Sequence, residues 1–144
     1  MSTRRADFRA GLLAILDAFQ AAHPEWLRQT AKARPPTFYP PMAYVGPITE
    51  PTVRIEQGSR VVRPDIRSSL VLVEGVYANI QSADALDEKG DALLSFLVNE
   101  HSRVSGATLL EPIGGPEDVD LTIPGDNPVT YAAVIIPVRL NAVD

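Results

Sequence analysis

The chain of 144 residues contains no cysteine. Disulfides, thiol nucleophiles and thiolate metal sites are therefore excluded, and the composition fits assembly in a reducing cytoplasm. Only two histidines are present, His23 and His101, and the sequence places each at a helix end, where a structural role is the commoner one. No serine lies in a G-x-S-x-G motif and no Gly-Lys-Ser/Thr follows Gly114 and Gly115. We therefore predict that the chain is not an enzyme and uses no cofactor.

Long apolar runs are also missing. No stretch approaches the ~20 apolar residues that cross a bilayer, so no membrane partner is expected. The apolar segment near the N-terminus is interrupted by Asp17 and followed by Gln20, and we interpret it as a structural helix rather than a signal peptide. A hydrophobic fraction of 45% and a mean hydropathy of +0.01 are typical of a globular protein. The length predicts a single domain spanning residues 1–144.

Charge is distributed unevenly along the chain. Residues 1–67 carry a net charge of +4 and residues 68–144 a net charge of -9, against -5 for the whole chain. Such asymmetry can mark a nucleic-acid surface or an electrostatically complementary contact, although scattered solvated charge is the simpler explanation. A protein that reads nucleic-acid sequence would be more basic overall, so none of that class is expected.

Apolar periodicity predicts two main helices. The first ends before Pro24 and has its stripe at Phe8, Leu12, Ile15, Leu16, Phe19 and Ala22. A short helical piece is predicted from Glu25 to Ala33, because proline suits a first helical turn. The second main helix is predicted from Ser82 to His101, with Gly90 on its buried side and a stripe of Leu86, Leu93, Leu94, Leu97 and Val98.

Residues 34–51 are unusually rich in proline, at positions 35, 36, 40, 41, 47 and 51. These prolines remove backbone donors, so the segment is predicted to be neither a helix nor a central strand. Phe38, Tyr39 and Tyr44 are interleaved with the prolines, and a free linker would leave such aromatic residues unused. We therefore predict an ordered, extended arm packed on the domain.

The remaining segments predict strands. A strand at 52–57 has a short hairpin partner at 59–63, and a longer strand at 66–77 is buried on both faces around residues 70–73. Further strands are predicted at 108–113, 121–123 and 129–140, and Pro137 predicts an edge position or a bulge in the last of these. The order is typical of an α+β fold: a mixed, mostly antiparallel sheet with two main helices packed on one face, plus the proline-rich arm. No internal repeat is visible in the sequence.

Carboxylates are concentrated in the second half of the chain. Glu117, Asp118 and Asp120 have the chemistry of a calcium site but lack the spacing of the helix–loop–helix signature, so we favour an acidic turn. Asp84, Asp87 and Asp91 share one face of a predicted helix, which is either a solvated stripe or one side of an interface.

The order and lengths of these segments resemble those of the tail terminator (tail completion) proteins of long-tailed bacteriophages. The features that carry the resemblance are the amphipathic first helix, the arm PPTFYPPMAYVGPITEP, the hairpin TVRIEQGSRVVR, the strand SLVLVEGVY, the helix SADALDEKGDALLSFLVNE and the final strand YAAVIIPVRL. They span most of the chain without forming a residue motif, so no family residue is transferred.

The resemblance implies a structural virion protein. It implies a homo-oligomeric, hexameric ring that caps the tail tube, ends its polymerisation and provides the head-attachment surface. The expected partners are the tail tube protein and a head-completion or connector protein, with DNA passing through a central channel. The expected location is the virion tail, after assembly in the host cytoplasm, and no cofactor or catalytic residue is implied.

Rings are built from heterologous contacts, which suit a chain with a basic first half and an acidic second half. We hypothesise that one of Arg54, Arg60, Arg63 and Arg67 in one subunit faces one of Asp84, Asp87, Glu88 and Asp91 in the next. The arm, with Phe38 and Tyr39, would strap that joint. The alternatives are another head–tail connector or tail tube subunit, and a small non-viral α/β ligand-binding domain.

Overall fold

A computed structural model describes residues 4–55, 62–76, 84–99, 108–124 and 128–142. Its elements in chain order are α1 Arg4–Ala22, β1 Gln29–Ala31, β2 Met42–Val45, β3 Thr49–Ile55, β4 Val62–Val76, α2 Asp84–Asn99, β5 Thr108–Pro112, β6 Glu117–Ile123 and β7 Val129–Ala142. The strands form one sheet in the order β1-β2-β4-β7-β5, with β3 beside β4 and β6 beside β7. Only β1 and β2 pair in parallel, and the other neighbours are antiparallel. The predicted α+β fold is confirmed.

The described elements divide into two similar units, each a helix followed by a broken strand and a long strand. The first unit is α1, β2 with β3, and β4; the second is α2, β5 with β6, and β7. The breaks fall at Gly46-Pro47 and at 113–116, and the long strands pair at the centre of the sheet with Ser69 opposite Pro137. An approximate two-fold axis near this pair relates the units. The repeat lies in the order of elements, which is why residue patterns did not reveal it.

Both helices pack on one face of the sheet and share one core. Residues of α1 and α2 meet every second residue of β4 and β7 there: Phe8, Leu12, Ile15, Leu16, Phe19, Leu86, Leu93 and Leu97 with Ile66, Leu70, Leu72, Ala132, Val134, Ile136 and Val138. The predicted stripes are confirmed except at their ends. Ala22 is exposed where α1 ends, and Val98 is 47% exposed.

The short helix predicted from Glu25 to Ala33 is wrong. Residues 29–31 instead form β1, in register with 42–44 of β2. The Arg28 amide donates to the Pro41 carbonyl at 2.6 Å, and the Thr30 hydroxyl bonds the Asp17 carboxylate of α1. Local propensity favoured a helix here, but backbone pairing with a distant segment decided the outcome.

Side chains of α1 bind the backbone of the proline-rich arm and of the segment before it. The Arg5 and Arg9 guanidinium groups donate to the carbonyls of Ile48 and Lys32 at 2.8 and 2.7 Å. The prediction that the arm contains no central strand is wrong, because β2 lies between β1 and β4. It lies between Pro41 and Pro47, in the longest stretch of the arm without proline, so every residue of the strand has its backbone donor.

The described parts of the strands predicted at 59–63 and 66–77 belong to one continuous strand, β4, and residues 59–61 and 77 lie outside the described residues. Burial of residues 70–73 on both faces is confirmed. The predicted acidic turn at 117–120 is wrong, because these residues begin β6. They pair with residues 132–135 of β7.

Pro137 lies in a central strand, contrary to the predicted edge position. Its nitrogen, which carries no hydrogen, lies where the described strands require no donor. The Ile113 amide donates to the Pro137 carbonyl at 2.9 Å, so the nitrogen of Pro137 points to the same side, towards the break between β5 and β6. Residues 136 and 137 have no strand partner on that side among the described residues. The proline therefore costs the sheet no ladder bond.

Candidate assembly surfaces

The face of the sheet opposite the helices carries a second apolar cluster. Its buried members are Phe38, Met42, Tyr44, Val71, Val73 and Ala133, flanked by the half-buried Ala31, Val119, Leu121, Ile123, Tyr131 and Ile135. Phe38 folds down from the arm, stacks on Tyr44 and meets Tyr131 edge-on, with ring centroids 5.9 and 5.0 Å apart. The Arg34 guanidinium lies 5.4 Å from the centre of the Phe38 ring. We call this side the helix-free face.

The two aromatic residues that were predicted to strap a joint differ in their burial. Phe38 is buried and anchors the arm to its own sheet, whereas Tyr39 is 54% exposed. Phe38 therefore has a demonstrated role within the chain, and Tyr39 is the arm aromatic that can reach a neighbour.

Burial of Tyr44 has a measurable consequence at high pH. Desolvation raises the pKa of Tyr44 above its ordinary value, and nearby Arg34 opposes this only in part. Because the pKa of Tyr44 is higher in the folded state, the neutral side chain makes its full contribution to the free energy of unfolding below about pH 10. That contribution is lost as pH rises through the folded-state pKa. In a spectrophotometric titration, we expect Tyr44→Phe to remove a tyrosine ionisation that occurs above the ordinary pH range and to retain more of its stability above pH 10. Tyr39→Phe should leave that ionisation in place, and an unchanged titration of Tyr44→Phe would contradict the assignment.

The acidic side chains of α2 and β6 belong to one region. Asp84, Asp87, Glu88 and Asp91 on α2, and Glu117, Asp118 and Asp120 on β6, are all exposed. Gly90 of α2 approaches Pro116, the residue before β6, since a Cβ on Gly90 would lie 3.3 Å from the Pro116 Cβ. Asp118 and Asp120 pair with Val134 and Ala132 and so lie on the helix side of the sheet, whereas Glu117 lies on the helix-free face. We call the six residues other than Glu117 the acidic surface. The sequence pattern had indicated two separate groups, one on a helix and one in a turn.

Three of the predicted arginines lie on β3 and β4, where strand pairing sets each of them opposite another arginine. Arg54 and Arg63 are directly opposed in the pairing of β3 with β4, and Arg67 is opposed to Arg139 between β4 and β7. Strand alternation places Arg67 on the side of Val71 and Val73, the helix-free face. We call these four residues the arginine row. Arg60 lies outside the described residues.

The structure therefore separates the two sets of predicted interface residues. Arg67 alternates with Val71 and Val73 on the helix-free face, whereas the α2 carboxylates lie on the helix layer.

The histidines were predicted to have helix-end roles. His23 follows α1, and its ring stacks on Trp26 with centroids 4.2 Å apart; His101 lies outside the described residues. Among the residues described, no group of three or more His, Asp or Glu side chains is arranged to hold a metal ion. Within the same residues, neither helix combines the length and the apolar character needed to cross a membrane.

Sequence reasoning missed one buried charge, Lys89. Its ammonium lies 2.7 Å from the Glu74 carboxylate and 3.3 Å from the Trp26 carbonyl. The signal was present in the sequence, because Lys89 falls on the buried stripe of α2 between Leu86 and Leu93. The interaction ties α2, β4 and the segment after α1 together.

No protein-family model matches the chain, and no curated protein is significantly similar to it in sequence. The surfaces described above therefore carry the functional argument.

Proposed function

We propose that this protein is a structural subunit of a bacteriophage tail that assembles into a ring. The ring caps the tail tube, ends tube polymerisation and presents the surface to which the head attaches. The observation that supports this best is the separation of the arginine row from the acidic surface within one chain. The order of its elements, which resembles that of tail terminator proteins, supports it independently.

Separated, complementary surfaces favour head-to-tail association. An isologous dimer that used only one of these surfaces would oppose arginines to arginines or carboxylates to carboxylates. A heterologous contact sets the row of one subunit against the acidic surface of the next, and closure of such a contact gives a ring. A hexamer, as the resemblance implies, would leave a central channel for DNA.

The neighbours proposed for this ring are the tail tube protein on one side and a head-completion or connector protein on the other. The role requires no catalytic residue and no cofactor, and it locates the protein in the virion tail. A deletion of its gene from a phage that carries it should give tails of uncontrolled length and no attached heads. Tails of normal length in the deletion strain would contradict the proposal.

One observation favours an alternative, a tail tube subunit. The first residues of β4, 62–65, pair with β3 but lie outside the pairing of β4 with β7, so the two strands form a two-stranded extension of the sheet. A tube subunit polymerises into stacked rings, whereas a terminator stops at one. Negative-stain electron microscopy of the purified protein separates the two.

The assembly should depend on charge and on salt. We expect light scattering coupled to size exclusion to give a ring-sized mass at low salt and a smaller mean mass at high salt, because screening weakens exposed ion pairs. The double variant Arg54→Glu/Arg63→Glu should run as a monomer, whereas Lys32→Glu, an exposed charge outside the row, should assemble normally. Ring formation by the double variant at moderate salt would contradict a role for the arginine row.

A further inference from the structure

The outer edge of β6 has no neighbouring strand among those described. β6 pairs only with β7 there, so backbone groups along its seven residues are unpaired on the other side. Val119, Leu121 and Ile123 are half-buried and belong to the apolar cluster of the helix-free face. Asp118 and Asp120 alternate with them on the helix side and are exposed. A strand added at this edge would therefore meet apolar side chains on one face and carboxylates on the other.

The opposite edge of the sheet is that of β1, which among the described strands pairs only with β2. Ala31 packs against the same apolar cluster, whereas the Thr30 hydroxyl bonds a carboxylate of α1 and so faces the helices. The arm that follows β1 turns away from this edge, since Phe38 lies against Tyr44 of β2 and Tyr131 of β7. The outer edge of β1 thus has the same two faces as the outer edge of β6.

The two edges differ in charge. Residues 28–34 contain no acidic residue and three exposed cationic side chains, those of Arg28, Lys32 and Arg34. The Arg9 guanidinium of α1 adds a cation at the Lys32 carbonyl, while Asp17 bonds the Thr30 hydroxyl. The edge of β1 is therefore mainly basic, and that of β6 is acidic.

We propose that β6 of one copy pairs antiparallel with β1 of a second copy, so that the sheet continues from subunit to subunit. The inference rests on the proposed self-assembly and names the strands that form the joint. It assigns the acidic side of the joint to Asp118 and Asp120 rather than to the carboxylates of α2. β3 lies on the same side of β4 as β1 and β2, so the strand that carries Arg54 faces the same joint.

Strand register and direction permit this pairing without a stagger. Strand pairing sets Gln29 of β1 and Val119 of β6 level with the same residue of β4, Val73. β1 runs parallel to β2, and β2, β4, β7 and β6 alternate, so β6 and β1 of a copy in the same orientation are antiparallel. Val119 then faces Gln29 and lies diagonal to Ala31, which continues the apolar cluster across the joint. Because successive copies stay level along the strands, repetition of the contact favours a closed ring over a helical filament.

Charge selects this pairing over the two that join like edges. At the level register, Arg28 comes beside Asp120. Two β6 strands related by a two-fold axis would also be antiparallel, but they would set the aspartates of one copy beside those of the other. Two β1 strands paired in this way would set Arg28 beside Lys32. Of the three pairings, the mixed one alone brings unlike charges together. Lys32 then lies beyond the first residue of β6, so Lys32→Glu remains a control that leaves assembly intact.

The absence of native cysteine allows a direct test by disulfide cross-linking. We expect Gln29→Cys mixed with Val119→Cys, at high salt and then dialysed to low salt, to give a covalent dimer under mild oxidation. The doubly substituted chain should give a ladder of oligomers, because its two cysteines lie on opposite edges of one sheet and cannot meet within the chain. Each single variant alone should remain monomeric on a non-reducing gel.

The matched control for cross-linking is Gln29→Cys mixed with Asp91→Cys, which probes α2. Cross-linking of Val119→Cys to itself, or of the control pair as fully as the test pair, would overturn the pairing. Circular dichroism of each variant checks that it is folded.

A charge exchange provides a second measurement without cysteine. Arg28→Asp and Asp120→Arg should each raise the concentration at which half of the protein is assembled by at least about fivefold, because each sets like charges side by side. An equimolar mixture should return to the wild-type value, since each altered edge then meets its complement. Glu88→Arg, which changes the acidic surface outside the joint, should assemble normally. A mixture no better than its components, or a Glu88→Arg variant as defective as Asp120→Arg, would overturn the assignment.

The outcomes separate this inference from the proposed function. If wild-type protein forms rings and the test pair does not cross-link, the pairing is wrong and ring formation stands. If wild-type protein is monomeric at every concentration and the test pair does not cross-link, the pairing is also wrong, and tail length in the deletion strain decides the proposed function. A covalent dimer from an otherwise monomeric protein supports the pairing, and tail length again decides the function.

Discussion

Replacement of Lys89 with methionine should lower the free energy of unfolding by about 3 kcal/mol, because it leaves a largely buried carboxylate without its partner. The side chains of Lys89 and Glu74 are only 11% and 19% exposed, and their charged atoms lie 2.7 Å apart. The substitution also removes the donor to the Trp26 carbonyl. The loss is a large fraction of the stability of an ordinary domain. Chemical denaturation followed by the fluorescence of Trp26, the only tryptophan, measures it.

The matched control removes both charges. Glu74→Met/Lys89→Met should be markedly more stable than Lys89→Met alone, since an apolar pair of similar volume avoids the unpaired charge. Lys32→Met, which removes an exposed lysine, should change stability by less than about 0.5 kcal/mol. If Lys89→Met were as stable as wild type, the interaction would be no more than a surface ion pair.

Replacement of Gly90 with valine should destabilise the protein by about 2 kcal/mol, because α2 has no room for a side chain at this point. A Cβ there would lie 3.2 Å from the Val134 Cγ2 and 3.3 Å from the Pro116 Cβ. Val134 is restricted in χ1 and Pro116 is cyclic, so neither can easily move aside. Valine offsets only a few tenths of a kcal/mol through its better helix propensity. Thermal unfolding, followed by circular dichroism, should show the lower midpoint.

The contact with Val134 can be tested by a second substitution. Gly90→Val/Val134→Ala should be less destabilised than the sum of the single variants by at least about 1 kcal/mol, because the alanine opens space for the new side chain. Additive effects would show that Val134 is not what limits the approach. The result also bears on assembly, since this contact fixes α2 and its carboxylates against β7.

Features that depend on residues close in the sequence could be predicted, whereas features that depend on pairing between distant segments could not. The stripes of α1 and α2 were readable because helical period and local end signals act over a few residues. Residues 29–31 were not, because their conformation is set by pairing with β2. Pro137 misled the prediction because its tolerance depends on a break between β5 and β6 that no local pattern shows.

The candidate site divides in the same way. The arginines, the carboxylates of α2 and the aromatic residues of the arm were identifiable as unusual residues. Their arrangement was not, because strand register decides that Arg54 opposes Arg63, and the packing of the arm on the sheet decides that Phe38 lies under Arg34. The acidic residues of β6 were assigned to a turn, since the strand exists only through its pairing with β7.

By itself, the sequence determined the fold class, the two main helices, the buried centre of β4 and the unequal distribution of charge. These follow from composition and from periodicities of two and 3.6 residues. Only the tertiary structure decided that the chain forms two related units, that Lys89 is buried against Glu74, and that the acidic surface and the arginine row lie apart. Each depends on contacts between residues far apart in the chain, whose register is set when the sheet forms and not before.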